Sequence, residues 1–116
     1  PLAVRLSGDL DRAALEGALH DLVGGHESLR TVFPETGGVP RQEVIAASAA
    51  RLEVEVTSVS EDELAASLSA AVSRGFDLAR ELPLRAHVYA IDTNNSSSLT
   101  PEHVLLLVLH HIAGDG

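Results

Sequence analysis

Cysteine is absent from the 116 residues, which excludes a disulfide, a thiolate metal site and a cysteine nucleophile. Lysine is absent too, since eight arginines account for every Lys and Arg in the chain, and no side-chain amine is available to chemistry. Those eight bases stand against seventeen acids, a formal charge of −9. Nucleic-acid and anionic-membrane surfaces need concentrated Lys and Arg, so both are argued against. No run approaches the roughly eighteen apolar residues of a membrane span. No charged, apolar and small-residue series marks a signal peptide, and a cytoplasmic location is the expectation. Aromatics are scarce, two Phe and one Tyr with no Trp, although 45% of the chain is apolar; the interior should therefore be aliphatic, the core of one modest domain. Neither a Gly-x-Gly-x-x-Gly nor a Gly-x-x-x-x-Gly-Lys-Ser/Thr pattern occurs, which removes support for nucleotide binding. The lack of a Gly-x-Ser-x-Gly elbow disfavours covalent acyl-enzyme chemistry.

What is present alternates between helical and strand periodicities. Leu2 to Leu6 reads as a strand closed by Ser7-Gly8. From Leu10 to Val23, Leu15, Ala18, Leu19 and Leu22 fall at helical spacing, with Asp9 or Asp11 as N-cap and Gly24-Gly25 as the stop. Leu29 to Phe33 and Val39 to Ile45 read as strands around the turn Pro34-Glu35-Thr36-Gly37-Gly38, and Leu52 to Val56 alternates as a half-exposed strand. Ser60 and Glu63 form a capping box ahead of a helix whose apolar face is Leu64, Leu68, Ala71 and Val72 and whose end is Gly75. In a strand from Leu84 to Ile91, Leu84, Ala86, Val88 and Ala90 share one side and Arg85, His87, Tyr89 and Ile91 the other. The polar bridge Asp92 to Ser98 is expected to be a mobile hairpin loop within one sheet. Val104 to Leu109 reads as a strand buried on both faces. No repeat of fixed period is present. The order suggests an α/β (α+β) two-layer sandwich, a mixed sheet with packed helices, occupying residues 1–116 as one unit.

Directly after the last strand stands His110-His111-Ile112-Ala113-Gly114-Asp115-Gly116. Histidine exchanges protons near neutrality, its unperturbed pKa being about 6.5, and the glycines allow the tight backbone of a site loop at a strand end. Successive side chains on a strand point to opposite faces, so if His110 continues the strand, one histidine should act and the other support. Two imidazoles and a carboxylate are a legitimate metal-ligand set, but diverging histidines without a fourth ligand at motif spacing argue against it. A pair of histidines merely capping a strand is as good a reading of these residues alone as a general acid/base site. His20, His26, His87 and His103 could all be ordinary surface or hydrogen-bonded histidines, a reading that fits His20, on a helix among Glu16 and Asp21, best and His26 least. Glu27 and Arg30 could simply pair at i and i+3, worth a few tenths of a kcal/mol.

The terminal segment resembles the His-His-x-x-x-Asp-Gly core motif of nonribosomal peptide synthetase condensation domains, with His110, His111, Asp115 and Gly116 filling every fixed position. Upstream, His26-Glu27-Ser28-Leu29-Arg30-Thr31-Val32-Phe33 resembles the second motif of that family, Arg-His-Glu-x-Leu-Arg-Thr-x-Phe, with Gly25 in place of the leading arginine. Gly75-Phe76-Asp77-Leu78 and Leu82-Pro83-Leu84-Arg85-Ala86 are similar to the family's segment leading into a central strand.

The resemblance implies the N-terminal part of a chloramphenicol-acetyltransferase-like half, one of two that meet in a V around a tunnel. It also implies peptide-bond formation between donor and acceptor aminoacyl or peptidyl thioesters, delivered on 4′-phosphopantetheine arms by peptidyl carrier domains. No cofactor or metal would be bound directly. An adenylation domain of the same assembly line and the remaining half of the condensation domain would be further partners, and the product would be a secondary metabolite such as an antibiotic. Within this picture His111 is the active histidine, as base or as a holder of the amine. His110, Asp115, Gly116 and Arg30 support it: Arg30 bridges to Asp115 and Gly116 offers a backbone amide near the reacting carbonyl. Two other readings are an acyltransferase using a soluble acyl thioester and a non-catalytic carrier-docking module; retention of His111 argues against the second. The missing initiator methionine suggests a segment of a longer chain, which by itself should be catalytically silent and prone to associate through exposed apolar surface.

Overall fold

Burial in this chain is organised by two eight-residue strands rich in Val, Leu and Ala. The computed structural model describes residues 1–92 and 100–114. Strand β1 (Leu2–Ser7) leads to helix α1 (Arg12–Gly24) and a 3₁₀ turn (Glu27–Arg30). Four two-residue strands follow, β2 (Thr31–Val32), β3 (Glu35–Thr36), β4 (Val39–Pro40) and β5 (Glu43–Val44). The remainder is β6 (Val54–Val59), α2 (Glu61–Ser73), β7 (Leu84–Ile91), β8 (Glu102–Leu109) and one helical turn, α3 (His111–Gly114). The main sheet has the order β1-β8-β7-β6. β8 is antiparallel to both β1 and β7, whereas β6 runs parallel to β7, because the chain crosses over between them through α2, as parallel neighbours require.

The expected mixed sheet with packed helices is present, and the two helices take opposite faces of it. Leu84, Ala86 and Val88 of β7 pack with Leu19 and Val23 of α1. The alternate residue Tyr89 joins Val104, Leu106 and Val108 of β8 against Leu64 of α2. Period-two alternation on β7 and β8 thus feeds two cores at once. β8 is less symmetric than its apolar run suggested: Val104, Leu106 and Val108 are buried, Leu105 and Leu107 half-buried, and Leu109 is 43% exposed. The cause is β1, an edge strand whose Leu2 and Val4, beside Leu107 and Leu105, are themselves exposed, so α1 covers this face only in part.

Local signals set several element ends. Asp11, one of the two candidate caps, accepts from the Ala14 N–H, and Gly25 closes α1. Ser60 and Glu63 make the full capping box of α2, and Gly37 and Gly38 adopt φ of 61° and 80° in the tight turn between β3 and β4, a conformation side chains disfavour. Several expectations shift: Leu29 and Arg30 lie in the 3₁₀ turn, so the strand expected from Leu29 to Phe33 is only Thr31–Val32, and the one expected from Val39 to Ile45 breaks into Val39–Pro40 and Glu43–Val44. The buried stripe of α1 is Leu19 and Val23, with Leu15 half-buried, while Ala18 and Leu22 are exposed; docking on Ala86 and Val88 selects one of two adjacent stripes. The strand expected over Leu52 to Val56 runs from Val54 to Val59, because β7 offers a parallel partner as far as Ile91. Finally, α2 stops at Ser73, before Gly75, where the carbonyls of Arg74 and Gly75 turn to the Arg85 guanidinium. The polar bridge beyond Asp92 lies outside the described residues. No helix among the described residues is long and apolar enough to cross a membrane.

Leu106 is 1% exposed at the centre of the larger core. Leu106→Ala should destabilise the complete domain by roughly 2–5 kcal/mol, the usual cost of an aliphatic cavity. Leu2→Ala, on an edge residue 57% exposed, should cost well under half as much; equal losses in chemical denaturation would contradict this picture of the core.

Candidate active site at the end of the central strand

β8 ends at Leu109, so His110 does not continue it. Its backbone N–H instead donates to the Pro83 carbonyl at 2.8 Å, and the next residue opens α3. The His110 Nδ1 accepts from the Ile112 N–H at 3.1 Å, capping one of the amide donors that a helix start leaves unpaired. The expected divergence of the two histidines is therefore overturned. Because the chain turns from strand into helix between them, the rings stack, with centroids 4.4 Å apart and planes 25° from parallel. His110 is half-buried and His111 exposed.

Behind His110 stands Phe76, edge to face, with ring centroids 5.5 Å apart at 85°. Behind Phe76 stands Arg85, its guanidinium carbon 4.0 Å from the centre of the ring. Arg85 is buried, 7% exposed, and its charge is met on several sides. It donates to the Arg74 carbonyl at 2.8 Å, to the Gly75 carbonyl, and to the Glu81 carboxylate at 3.2–3.3 Å. Glu81 also accepts from the Asp77 N–H at 2.7 Å. That amide first, and then the Arg85 and Arg74 guanidiniums, hold the Glu81 carboxyl below its ordinary range against the opposing effect of desolvation. Residues 74–83 are thus tied into a loop around one buried cation.

Arg30 lies at the end of the 3₁₀ turn and is half-buried. Its Nε donates to the Val23 carbonyl at 3.1 Å and its Nη1 to the Ile45 carbonyl at 2.7 Å, so it fastens the end of α1 to the chain beyond β5. Asp115 and Gly116 lie outside the described residues, and with them the proposed bridge to Arg30. Gly25 has φ of −85°, open to any residue, and a Cβ there would stand 3.3 Å from the Asp21 carbonyl oxygen; an arginine would need only a small local shift. His87 places Nδ1 3.2 Å from Glu55, while its buried Nε2 finds no hydrogen-bond partner among the described residues. Among the described residues no three His, Asp or Glu side chains converge to hold a metal ion.

One family pattern, described as Condensation domain, matches residues 1–116. The chain belongs to the condensation-domain family. It is 48% identical over 116 residues to a dimodular nonribosomal peptide synthase of Bacillus subtilis (strain 168), covering 100% of this chain and 5% of that protein. To a probable non-canonical nonribosomal peptide synthetase of Salinispora arenicola (strain CNS-205) it is 51% identical over 116 residues, again 100% of this chain but 1% of the relative. The solved X-domain from teicoplanin biosynthesis superimposes with a TM-score of 0.79 at 36% identity, over 95% of this chain and 22% of that one. The chain therefore spans a small part of each relative.

Motif reading missed the roles of Phe76, Pro83 and Arg85. The segments that contain them were legible as a family pattern, but nothing in their spacing points to His110.

Since Glu81 is held below its ordinary carboxyl value of 4.5, its contribution to stability is intact above that pH and is lost as pH falls through the lower folded value. Glu81→Gln should lower the denaturant midpoint of the complete domain at pH 7, and the gap from the unmodified domain should narrow toward pH 3. A gap independent of pH would show that the carboxylate charge is not what matters.

Proposed function

We propose that this condensation-domain segment carries the acting histidine of a peptide-bond-forming site, and that its substrates are donor and acceptor aminoacyl or peptidyl thioesters. The observation that carries the reading is the pairing of an exposed His111 ring with a half-buried, hydrogen-bonded His110 at the end of a central strand. One ring is free to meet a substrate while the other is tied to the protein. The acceptor amine attacks the donor carbonyl, a C–N bond forms, and the C–S bond breaks with release of the phosphopantetheine thiol, which takes up a proton. His111 engages the amine, and accepting its proton or holding it in line requires the same placement; general-base help contributes about 10²- to 10⁴-fold, and positioning can contribute more. Gly116 would offer its amide to the charge that develops on the carbonyl oxygen.

The partners in this reading are two peptidyl carrier domains with their 4′-phosphopantetheine arms, an adenylation domain of the same assembly line, and the other half of the condensation domain, in the cytoplasm. Family membership and synthetase relatives of about 50% identity support it. A soluble acyl thioester as donor is the competing reading, and a clear preference for it over the carrier-bound form would displace ours.

In the complete domain with loaded carriers, His111→Ala should cut product formation by about 10²-fold or more while leaving thermal stability nearly unchanged, since the ring is exposed. His110→Ala should lower stability, because it frees the Ile112 amide and uncovers Phe76. The reverse ranking would show that the roles are exchanged.

Arg30 has donors beyond the two already placed on carbonyls, and we assign these to Asp115. A double-mutant cycle on Arg30→Met and Asp115→Asn should then show coupling on the order of 1 kcal/mol or more; purely additive losses would remove the bridge.

A further inference from the structure

We propose that Phe76 and Arg85 are positioning residues for the histidine pair, acting on His111 through His110. The inference rests on the reading of His111 as the acting group, and it adds to that site two side chains from well upstream in the chain.

A buried guanidinium is costly. Removing an ion from water is unfavourable even after the protein relaxes, and an apolar residue of similar size often serves stability as well. On the face of β7 turned to α2, Arg85 stands opposite Val108 of the buried cluster, where an aliphatic residue would extend the core. What the arginine does there is directional. Its planar fork collects the carbonyls of Arg74 and Gly75 and both oxygens of Glu81, and so shapes residues 74–81 into a loop that an aliphatic side chain could not hold. The residue that this loop turns inward is Phe76, laid against the guanidinium in a cation–π contact.

Phe76 then presents its ring to His110 in the perpendicular arrangement that aromatic quadrupoles favour. The loop's far end also holds His110, through the Pro83 carbonyl and the His110 N–H. His110 is thereby fixed by ring and by backbone from one loop, and its Nδ1 fixes the start of α3, which carries His111. The stacked His111 ring is the last member of the series Glu81, Arg85, Phe76, His110, His111. For a reaction in which the amine must be aligned with a carbonyl, a misplacement of about 1 Å can cost on the order of 10²-fold, so the orientation of this stack bears directly on rate.

The test uses the complete domain with selectively ¹³C-labelled histidine, loaded carriers, and the variants Phe76→Leu and Phe76→Tyr. Leucine keeps apolar volume and removes the ring; tyrosine restores the ring. With Phe76→Leu the ring resonances of His110 and His111 should move, and kcat should fall about 10- to 100-fold with KM for both carriers unchanged and the melting temperature close to that of the unmodified domain. Phe76→Tyr should return resonances and kcat together. Unmoved resonances, or a rate loss that merely tracks the unfolded fraction, would overturn the proposal and leave Phe76 as packing. If His111→Ala were as active as the unmodified domain, the functional reading would fall instead, and the resonances would still decide whether Phe76 orients the pair.

Discussion

The structure depends first on the antiparallel register between β7 and β8, which sets Leu84 opposite Leu109 and Ala90 opposite His103. With that register, Ala86 and Val88 line up with Leu107 and Leu105 on one face, while Tyr89 and Arg85 line up with Val104 and Val108 on the other. A slip of one residue would carry the aliphatic set of one strand to the wrong side and put Arg85 against α1. Both helices dock on the surfaces this pairing creates, and β1 and β6 extend it on either side. The same register brings the end of β8 beside the start of β7. For that reason the Pro83 carbonyl meets the His110 N–H, and the histidine pair emerges where a loop can brace it.

That brace is polar in a core otherwise built from Ala, Val and Leu. Aliphatic packing is non-directional; it fills space but cannot dictate the orientation of an imidazole. Arg85 supplies direction through hydrogen bonds to two carbonyls and a carboxylate, and Phe76 transmits it as ring geometry. Arg30 does the same at the end of α1, where the Val23 and Ile45 carbonyls are its anchors. In a chain without lysine, both tasks fall to guanidinium groups, whose rigid planar donors suit them. Each fastens backbone carbonyls 7 to 15 residues away in the chain.

Fold and site were unequally legible before the structure. The capping box at Ser60 and Glu63, the Asp11 cap and the Gly37-Gly38 turn are local devices, each complete within a few residues, and each stands where expected. β7 was legible end to end because its alternation is unbroken. The α1 stripe and the span of β6 were not, since both depend on the partner surface: two adjacent stripes of α1 are apolar, and only packing against Leu84, Ala86 and Val88 chooses Leu19 and Val23. The arrangement of the histidines failed for a similar reason. A strand rule applied one residue too far makes them diverge, whereas the turn into α3 makes them stack.

By itself, then, the sequence determined the residue types of the site, its place after an apolar strand, and the family, because these are properties of order and spacing along the chain. It also determined the element ends that are closed by short-range hydrogen bonds. Only the tertiary structure decided that Arg85 is buried, that the Arg74 and Gly75 carbonyls end α2, and that Phe76 stands between that cation and His110. Those contacts join residues whose separation in the chain carries no periodic signal, and they come into being only when β7 and β8 pair and the loop before β7 closes around the guanidinium.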